Sequence, residues 1–319
     1  MSSEVDVLVS GDVFVDLVFS GCQIPALGTE EFARGFIISP GGAANRAVAA
    51  ARLGARTSLL TSFGDDPMGV LAVEKLKKEQ GLDLSHCVFC NDAINPITVS
   101  ITDSKDRAFV TYQEPLADSA WQDDHEPVKT AFIDLGFNGD VPDWALNLRE
   151  KGTVLFAGLG WDSDGKWDKH LLERLRQVDV VLMNKMEATS YTGVQSVEDA
   201  LDVLMQYTHT AIITLGDKGV AAAEEETRLR IPSLPVQAVD PTGAGDIFSA
   251  AIMVGTTWGW TLEQRLRLGT AVAACSVMNV GGAISAPRMQ DVLQLIDQLG
   301  CKHGAQLISQ WGFLKNGRL

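Results

Sequence analysis

The chain lacks any stretch of about 18 apolar residues long enough to cross a bilayer as a helix. Its first residues, Met1-Ser2-Ser3-Glu4-Val5-Asp6, have neither the basic start nor the apolar core of a secretory signal. A soluble, cytoplasmic protein is the expectation. Positive charge is scarce, with 26 Lys and Arg against 41 Asp and Glu and a formal net charge of −15. That balance argues against nucleic acid and anionic membrane as partners, since both need clustered cations. It leaves room for a small anionic ligand, which a few local donors can hold. Cysteine is sparse and odd in number, at five, so a disulfide framework is not expected. Cys87 and Cys90 have redox or zinc-like spacing, but no second pair follows, and they read as half-buried thiols on a strand. The five histidines are scattered without ligand spacing. Also missing are the G-x-x-x-x-G-K-[ST] phosphate loop, the protein-kinase signature set and a Rossmann G-x-G-x-x-G after the first strand. Any phosphate site must be of another kind.

What is present is enough apolar residue, 46%, for a sizeable core. Short apolar runs at Val5–Gly11, Thr57–Thr61, Ala131–Leu135, Thr153–Ala157, Val178–Met183 and Ala211–Leu215 read as strands. Between or after them, Ala43–Leu53, Met68–Gln80, Trp167–Gln177, Val197–Tyr207, Ala244–Trp258, Thr261–Val280 and Met289–Leu299 read as helices. Strands alternating with helices imply a mainly parallel sheet covered on both faces. Two regions break the alternation. Phe14–Ser20, Phe32–Ser39, Ile97–Thr102 and Ala108–Gln113 read as strands without helices between them, the last two as a hairpin. Inserted at about 13–39 and 96–113 of a single domain spanning 1–319, they form a small sheet suited to be a lid. The acidic stretch Ala117–Lys129 reads as loop or short helix.

The strongest motif is Asp240-Pro241-Thr242-Gly243-Ala244-Gly245-Asp246, a glycine-rich turn ending in a carboxylate where a helix begins. Gly243 and Gly245 allow successive N–H groups to converge on an anion, and the start of the helix strengthens that nest. Asp246 would repel a phosphate unless its charge has another task, and taking a proton from an attacking hydroxyl is such a task. A second cluster, Gly41-Gly42-Ala43-Ala44-Asn45, brings backbone close to a ligand and puts an amide one turn into a helix. It reads equally as close helix–sheet packing. Asp12 and Asp16 follow the first strand, where open α/β sheets bind ligands and where a carboxylate can accept bonds from adjacent polyol hydroxyls. Either could instead serve a turn. Asn184 and Glu187, at a helix start, could hold a hard cation through its waters or simply form a capping box. Thr214-Leu215-Gly216-Asp217-Lys218-Gly219 could lie against a nucleotide or make a hairpin turn.

On these residues the chain resembles the PfkB, or ribokinase-like, family of carbohydrate kinases over essentially its whole length. The first family signature looks like Gly41, Gly42 and Asn45, and the second matches Asp240 through Asp246. The resemblance implies a three-layer α/β/α domain with a mainly parallel central sheet and a small β-sheet lid. It implies ATP and Mg2+ and a small sugar or sugar-like alcohol as acceptor, while the open edges of the small lid sheet suggest a homodimer joined through the lid. Asp246 would be the general base, with Gly243, Ala244 and Gly245 neutralising charge on the transferred phosphoryl group. Glu187 with Asn184 would position the Mg2+ waters. Asp16, Gly41, Gly42 and Asn45 would grip the sugar, and Thr214, Gly216, Gly219 and Asn279 would flank the nucleotide. Asp240 and Thr242 could serve an alkali cation such as K+, although Ala286 stands where the ribokinase branch has a hydroxyl. Arg46 follows Asn45 where small apolar residues are usual. Alternatives within the fold are a nucleoside kinase stacking a base on Phe14, Phe109 or Tyr112, and a phosphosugar kinase using Arg34, Arg46, Lys105 or Arg107. A non-catalytic sugar-binding regulator would be expected to lose the base or the glycines, which are all present.

Overall fold

Strands rich in Val, Ile and Leu can be buried on both faces, and here they build the middle of the molecule. The computed structural model describes residues 4–102, 107–122, 127–135, 140–162, 164–303, 311 and 313–314. Its main sheet is nine-stranded, ordered Thr227–Ile231, Val220–Glu224, Thr210–Thr214, Val180–Asn184, Val154–Gly158, Val128–Asp134, Val5–Ser10, Thr57–Leu60 and Leu82–Asp83. The first two pairings in that order, Thr227–Ile231 with Val220–Glu224 and Val220–Glu224 with Thr210–Thr214, are antiparallel, and the rest are parallel. The strand Val5–Ser10 is central, parallel to both Val128–Asp134 and Thr57–Leu60.

Alternation along the strands divides the core. Val7 and Val9 pack with the helices Ala43–Arg52, Ala244–Thr257, Leu262–Ser276 and Met289–His303, whereas Leu8 packs with Asp143–Glu150, Lys185–Thr192 and Val197–Leu204. Ala244–Thr257 buries every side chain from Ile247 to Val254, because it lies between the sheet and Leu262–Ser276 and needs no polar face. Among the described residues no helix is long and apolar enough to cross a membrane. All five cysteines are free, with Cys87 and Cys90 half-buried as expected.

A separate four-stranded sheet has the order Gly35–Gly42, Val13–Ser20, Ile97–Thr102 and Arg107–Tyr112. The hairpin is real, with Ile97 opposite Tyr112, and its turn at 103–106 lies outside the described residues. One strand runs further than the sequence suggested. Instead of stopping at Ser39, it includes Pro40, Gly41 and Gly42, which pair with Val15, Phe14 and Val13. Proline is tolerated there because this is an edge strand with one unpaired side.

Other differences are local. Trp167–Gln177 is a 3₁₀ helix over Lys169–Gln177, starting where Asp168 accepts from the His170 N–H, after a positive φ of 48° at Trp167. The helix Asp143–Glu150, begun by Pro142, was not anticipated. Within Ala117–Lys129 the described residues 117–122 are irregular, with Trp121 buried, and Val128 opens a strand.

Candidate active site

Parallel strands all end on one side, and the helices that follow begin there, so carboxylates and helix N-termini gather at that rim. Gly11 and Asp12 leave the strand Val5–Ser10, Asp134 ends Val128–Asp134, and Asn184 and Thr214 end neighbouring strands directly opposite one another. The helices starting at Ala43, Lys185 and Ala244 open onto the same rim.

Asp246 lies in the first turn of Ala244–Thr257. Both of its carboxylate oxygens have partners: Asn45 Nδ2 donates to Oδ2 at 2.9 Å, and Arg46 Nη2 lies 2.8 Å from Oδ1. Gly243 precedes the helix with a φ of +72°, and a methyl on it would stand 3.0 Å from Asn45 Nδ2, so both conformation and space select glycine. The two signature segments therefore touch, as the sequence reading required. The Ala244 N–H, expected in the nest, donates to Pro241 O at 3.2 Å and closes the turn. Around Gly245 the space is open, with no atom within 4 Å of where a side chain would begin. Asn45 is 4% exposed and its Oδ1 is buried without a hydrogen-bond partner.

Asp16 sits on the small sheet, buried, and its carboxylate packs against Gly41 so closely that any side chain at 41 would collide with it. Burial foremost, then the negative charges of Asp246 and Asp240, push its pKa up to about 7. Those charges tie the small sheet electrostatically to the glycine turn. Asp12 takes a different place. It accepts a bond from Gln113 at the far end of the hairpin, and burial raises its pKa. Gly42 continues the strand beside Phe14 and precedes the helix holding Asn45.

Asn184 and Glu187 form a full capping box: Asn184 Oδ1 accepts from the Glu187 N–H and Glu187 Oε2 from the Asn184 N–H, each at 2.9 Å. The bland reading of this pair is thus present. Yet the Glu187 pKa is raised, by burial first and also by the charges of Asp246 and Asp134, against lowering by the Asn184 N–H and Arg46. Among the described residues no group of three or more His, Cys, Asp or Glu side chains is placed to hold a metal ion directly, so a divalent cation at this rim would be met by Asn184 and Glu187 through its waters.

Thr214 to Gly219 makes the connection between two antiparallel strands, with a short 3₁₀ turn at Gly216–Lys218. It is a hairpin turn placed beside Asn184. Asp240 is buried and fully engaged, Oδ1 with the Thr242 N–H and hydroxyl and Oδ2 with the Gly281 N–H at 2.9 Å. Its side chain pins the Gly281–Pro287 loop to the glycine turn. Asn279 lines a cavity of about 700 Å3 with Arg52, Met278, Arg288 and Gln294, whose walls include none of Asn184, Thr214 and Asp246.

With this geometry in view, residues 17–289 match the profile of the pfkB family carbohydrate kinases. The chain belongs to that family. The maize (Zea mays) fructokinase-1 is 28% identical over 301 residues, covering 82% of this chain and 90% of its own. The ribokinase of Lactococcus lactis is 26% identical, covering 92% of this chain and 97% of its own. Among solved structures, the Arabidopsis thaliana ribokinase complexed with ribose and ATP aligns with a TM-score of 0.74 at 22% identity, over 92% of this chain and 99% of that one. That last likeness establishes the ribokinase fold.

One residue at this rim, Asp134, escaped the sequence reading, and another, Arg46, was singled out there without its partner. Asp134 ends a parallel strand just as Asp12 follows one, so the rule applied at the first strand would have found it. The contact of Arg46 with Asp246 had only an unusual residue type as its signal, since 200 positions separate the partners. Among the phosphosugar candidates, Lys105 lies outside the described residues, and Arg34 sits at the Ser20 end of the small sheet.

Proposed function

We propose that this pfkB carbohydrate kinase transfers the γ-phosphoryl group of ATP to a hydroxyl, a primary one in our reading, of a small sugar or sugar-like alcohol. The observation that carries this is the Asp246 carboxylate, held at a helix start by Asn45 and Arg46 in a glycine turn that is open at Gly245. Asp246 accepts the proton of the attacking hydroxyl, and main-chain N–H groups around Gly243 and Gly245 neutralise charge on the phosphoryl group. Ala244 serves this nest less directly, because its N–H is engaged with Pro241. Asp16 accepts hydrogen bonds from sugar hydroxyls, and Gly41, Gly42 and Asn45 serve the sugar indirectly: Gly41 leaves room for the Asp16 carboxylate, Gly42 for Phe14, and Asn45 holds Asp246. The small sheet closes over the acceptor as a lid and keeps water from the phosphoryl group.

Thr214, Gly216 and Gly219 flank the nucleotide, with Asn279 further from its phosphates. Asn184 and Glu187 would hold Mg2+ through its waters, and the ion would supply charge neutralisation on the phosphates. Glutamine at 187 preserves the cap, so Glu187→Gln should leave the fold intact while raising the Mg2+ concentration for half-maximal rate by about tenfold. An unchanged Mg2+ titration removes Glu187 from this role. The side chains of Asp240 and Thr242, proposed for an alkali cation, are engaged with each other and with the Gly281 N–H, which suits holding the turn together better than K+ ligation.

A second copy of the chain is the natural cover for the small sheet, whose Phe36, Val110 and Tyr112 are exposed. Gel filtration at micromolar concentration should give a dimer, and a monomer alone contradicts this. We place the protein in the cytoplasm, with no nucleic-acid or membrane partner. An ATP-consumption screen across hexoses, pentoses, nucleosides and their phosphates tests the whole reading. Turnover with none of them overturns it.

A further inference from the structure

Arg46 stands directly after Asn45 and meets Asp246, but the reaction outlined above leaves open what its charge does beyond that contact. Its guanidinium is held on three sides. It lies over the ring of Phe132, 3.8 Å from the centroid, and Phe132 is itself buried. Its Nε donates to Ser249 Oγ at 3.1 Å, and its Nη2 meets Asp246 Oδ1 at 2.8 Å. The Ser249 hydroxyl in turn donates to the main-chain carbonyl of Asp246 at 2.7 Å. Arg46 thus reaches one residue by two routes, side chain and backbone.

This arrangement has a consequence for the base. A carboxylate has about four lone-pair sites, and one on each Asp246 oxygen is occupied, by Asn45 and by Arg46. Two donors on different oxygens fix the plane of the group, so its remaining lone pairs keep one direction. With Asn45 alone, the carboxylate could turn about its bond to Cβ while keeping a single hydrogen bond. Only a planar fork with adjacent donors can span Ser249 and Asp246 while stacked on a ring, and lysine cannot.

We propose that Arg46 is a positioning residue for Asp246: it fixes the direction in which the carboxylate meets the acceptor hydroxyl and touches neither phosphoryl group nor sugar. This rests on the kinase reading. All of its side-chain hydrogen-bond and ion-pair contacts among the described residues lead to Asp246, directly or through Ser249.

The test compares R46Q, R46A and S249A, each also in a D246N background, using the sugar found in the screen. Misaiming a reacting group by about 1 Å costs about a hundredfold, so R46Q and R46A should lower kcat by about 10- to 100-fold, with KM for ATP changed by less than about twofold. S249A, which loses only the indirect route, should lower kcat by a few-fold. Guanidinium ion well below denaturing concentration should restore part of the R46A rate. In the D246N background neither change at 46 should lower the residual rate further. A further fall there, of the same size, would mean that Arg46 acts on phosphoryl or sugar itself and overturns the proposal. So would an unchanged kcat, or a loss that guanidinium does not rescue and that accompanies a lowered Tm. Crystals of R46Q give a readout independent of turnover. Asp246 turned from its wild-type orientation supports the proposal, and an unmoved Asp246 overturns it. If the wild type consumes no ATP with any acceptor, the kinase reading fails, and the Asp246 orientation alone decides the role of Arg46.

Discussion

Asp246→Asn should lower kcat by about 10²–10⁴, the usual worth of general-base assistance, while ATP binding and the fold largely survive. The amide is nearly isosteric, so the helix start and the Gly243 turn are undisturbed. It cannot take a proton from an alcohol, and it can face only one of its two neighbours with an oxygen. Either Asn45 or Arg46 then meets an NH2 group, and Arg46 loses its ion-pair partner. We therefore expect a fall in kcat with KM for ATP within a few-fold, and a Tm change of a few degrees at most, since the pair is partly exposed. Steady-state kinetics with a thermal melt on the same preparation checks both. Near-normal turnover would remove Asp246 from the base role and leave Asp16 and Glu187, which both feel its charge, as the carboxylates to examine.

The parallel sheet and its rim were legible because period and composition are local signals. Strand runs such as Val5–Gly11 and Ala211–Leu215 are β-branched or apolar over their whole length, and only a sheet covered on both faces buries that. The glycine turn was legible for a related reason: left-handed conformation at Gly243 and close approach at Gly41 each demand one residue type, so the demand is visible in the sequence. The extension of an edge strand through Pro40 was not, because pairing with Val15 is a tertiary event that overrides a local breaker. For Asn184 and Glu187 the sequence offered a cation site or a capping box, and the structure shows the capping box. Asp240 is a similar case. Its position in the signature suggested a ligand, and the fold engages one of its oxygens with Thr242 and the other with the Gly281 N–H.

Asp16→Asn should abolish most sugar binding and at the same time stabilise the protein. In the native state the Asp16 pKa is about 7, against about 3.8 for the model carboxyl taken for the unfolded chain. The folded state therefore holds the proton more tightly, and its stability contribution from Asp16 is lost as pH rises from about 4 to about 7. Above that range the buried charge costs about 4 kcal/mol before relaxation and water entry, which reduce it. Asparagine never ionises, so the variant escapes that fall. The Tm difference between variant and wild type should be near zero at pH 4 and reach roughly 2–6 °C in favour of the variant at pH 8. Sugar binding responds in the other direction. Hydroxyls donating to Asp16 favour its ionised form, and each charge-assisted bond is worth about 1.5–3 kcal/mol, so losing two should raise KM for the acceptor at least about a hundredfold. The same linkage makes the wild-type KM for the acceptor fall between pH 6 and pH 8, a trend that Asp16→Asn should erase. A variant with unchanged KM, or a Tm difference independent of pH, would show that the carboxylate against Gly41 neither receives the sugar nor carries the charge assigned to it.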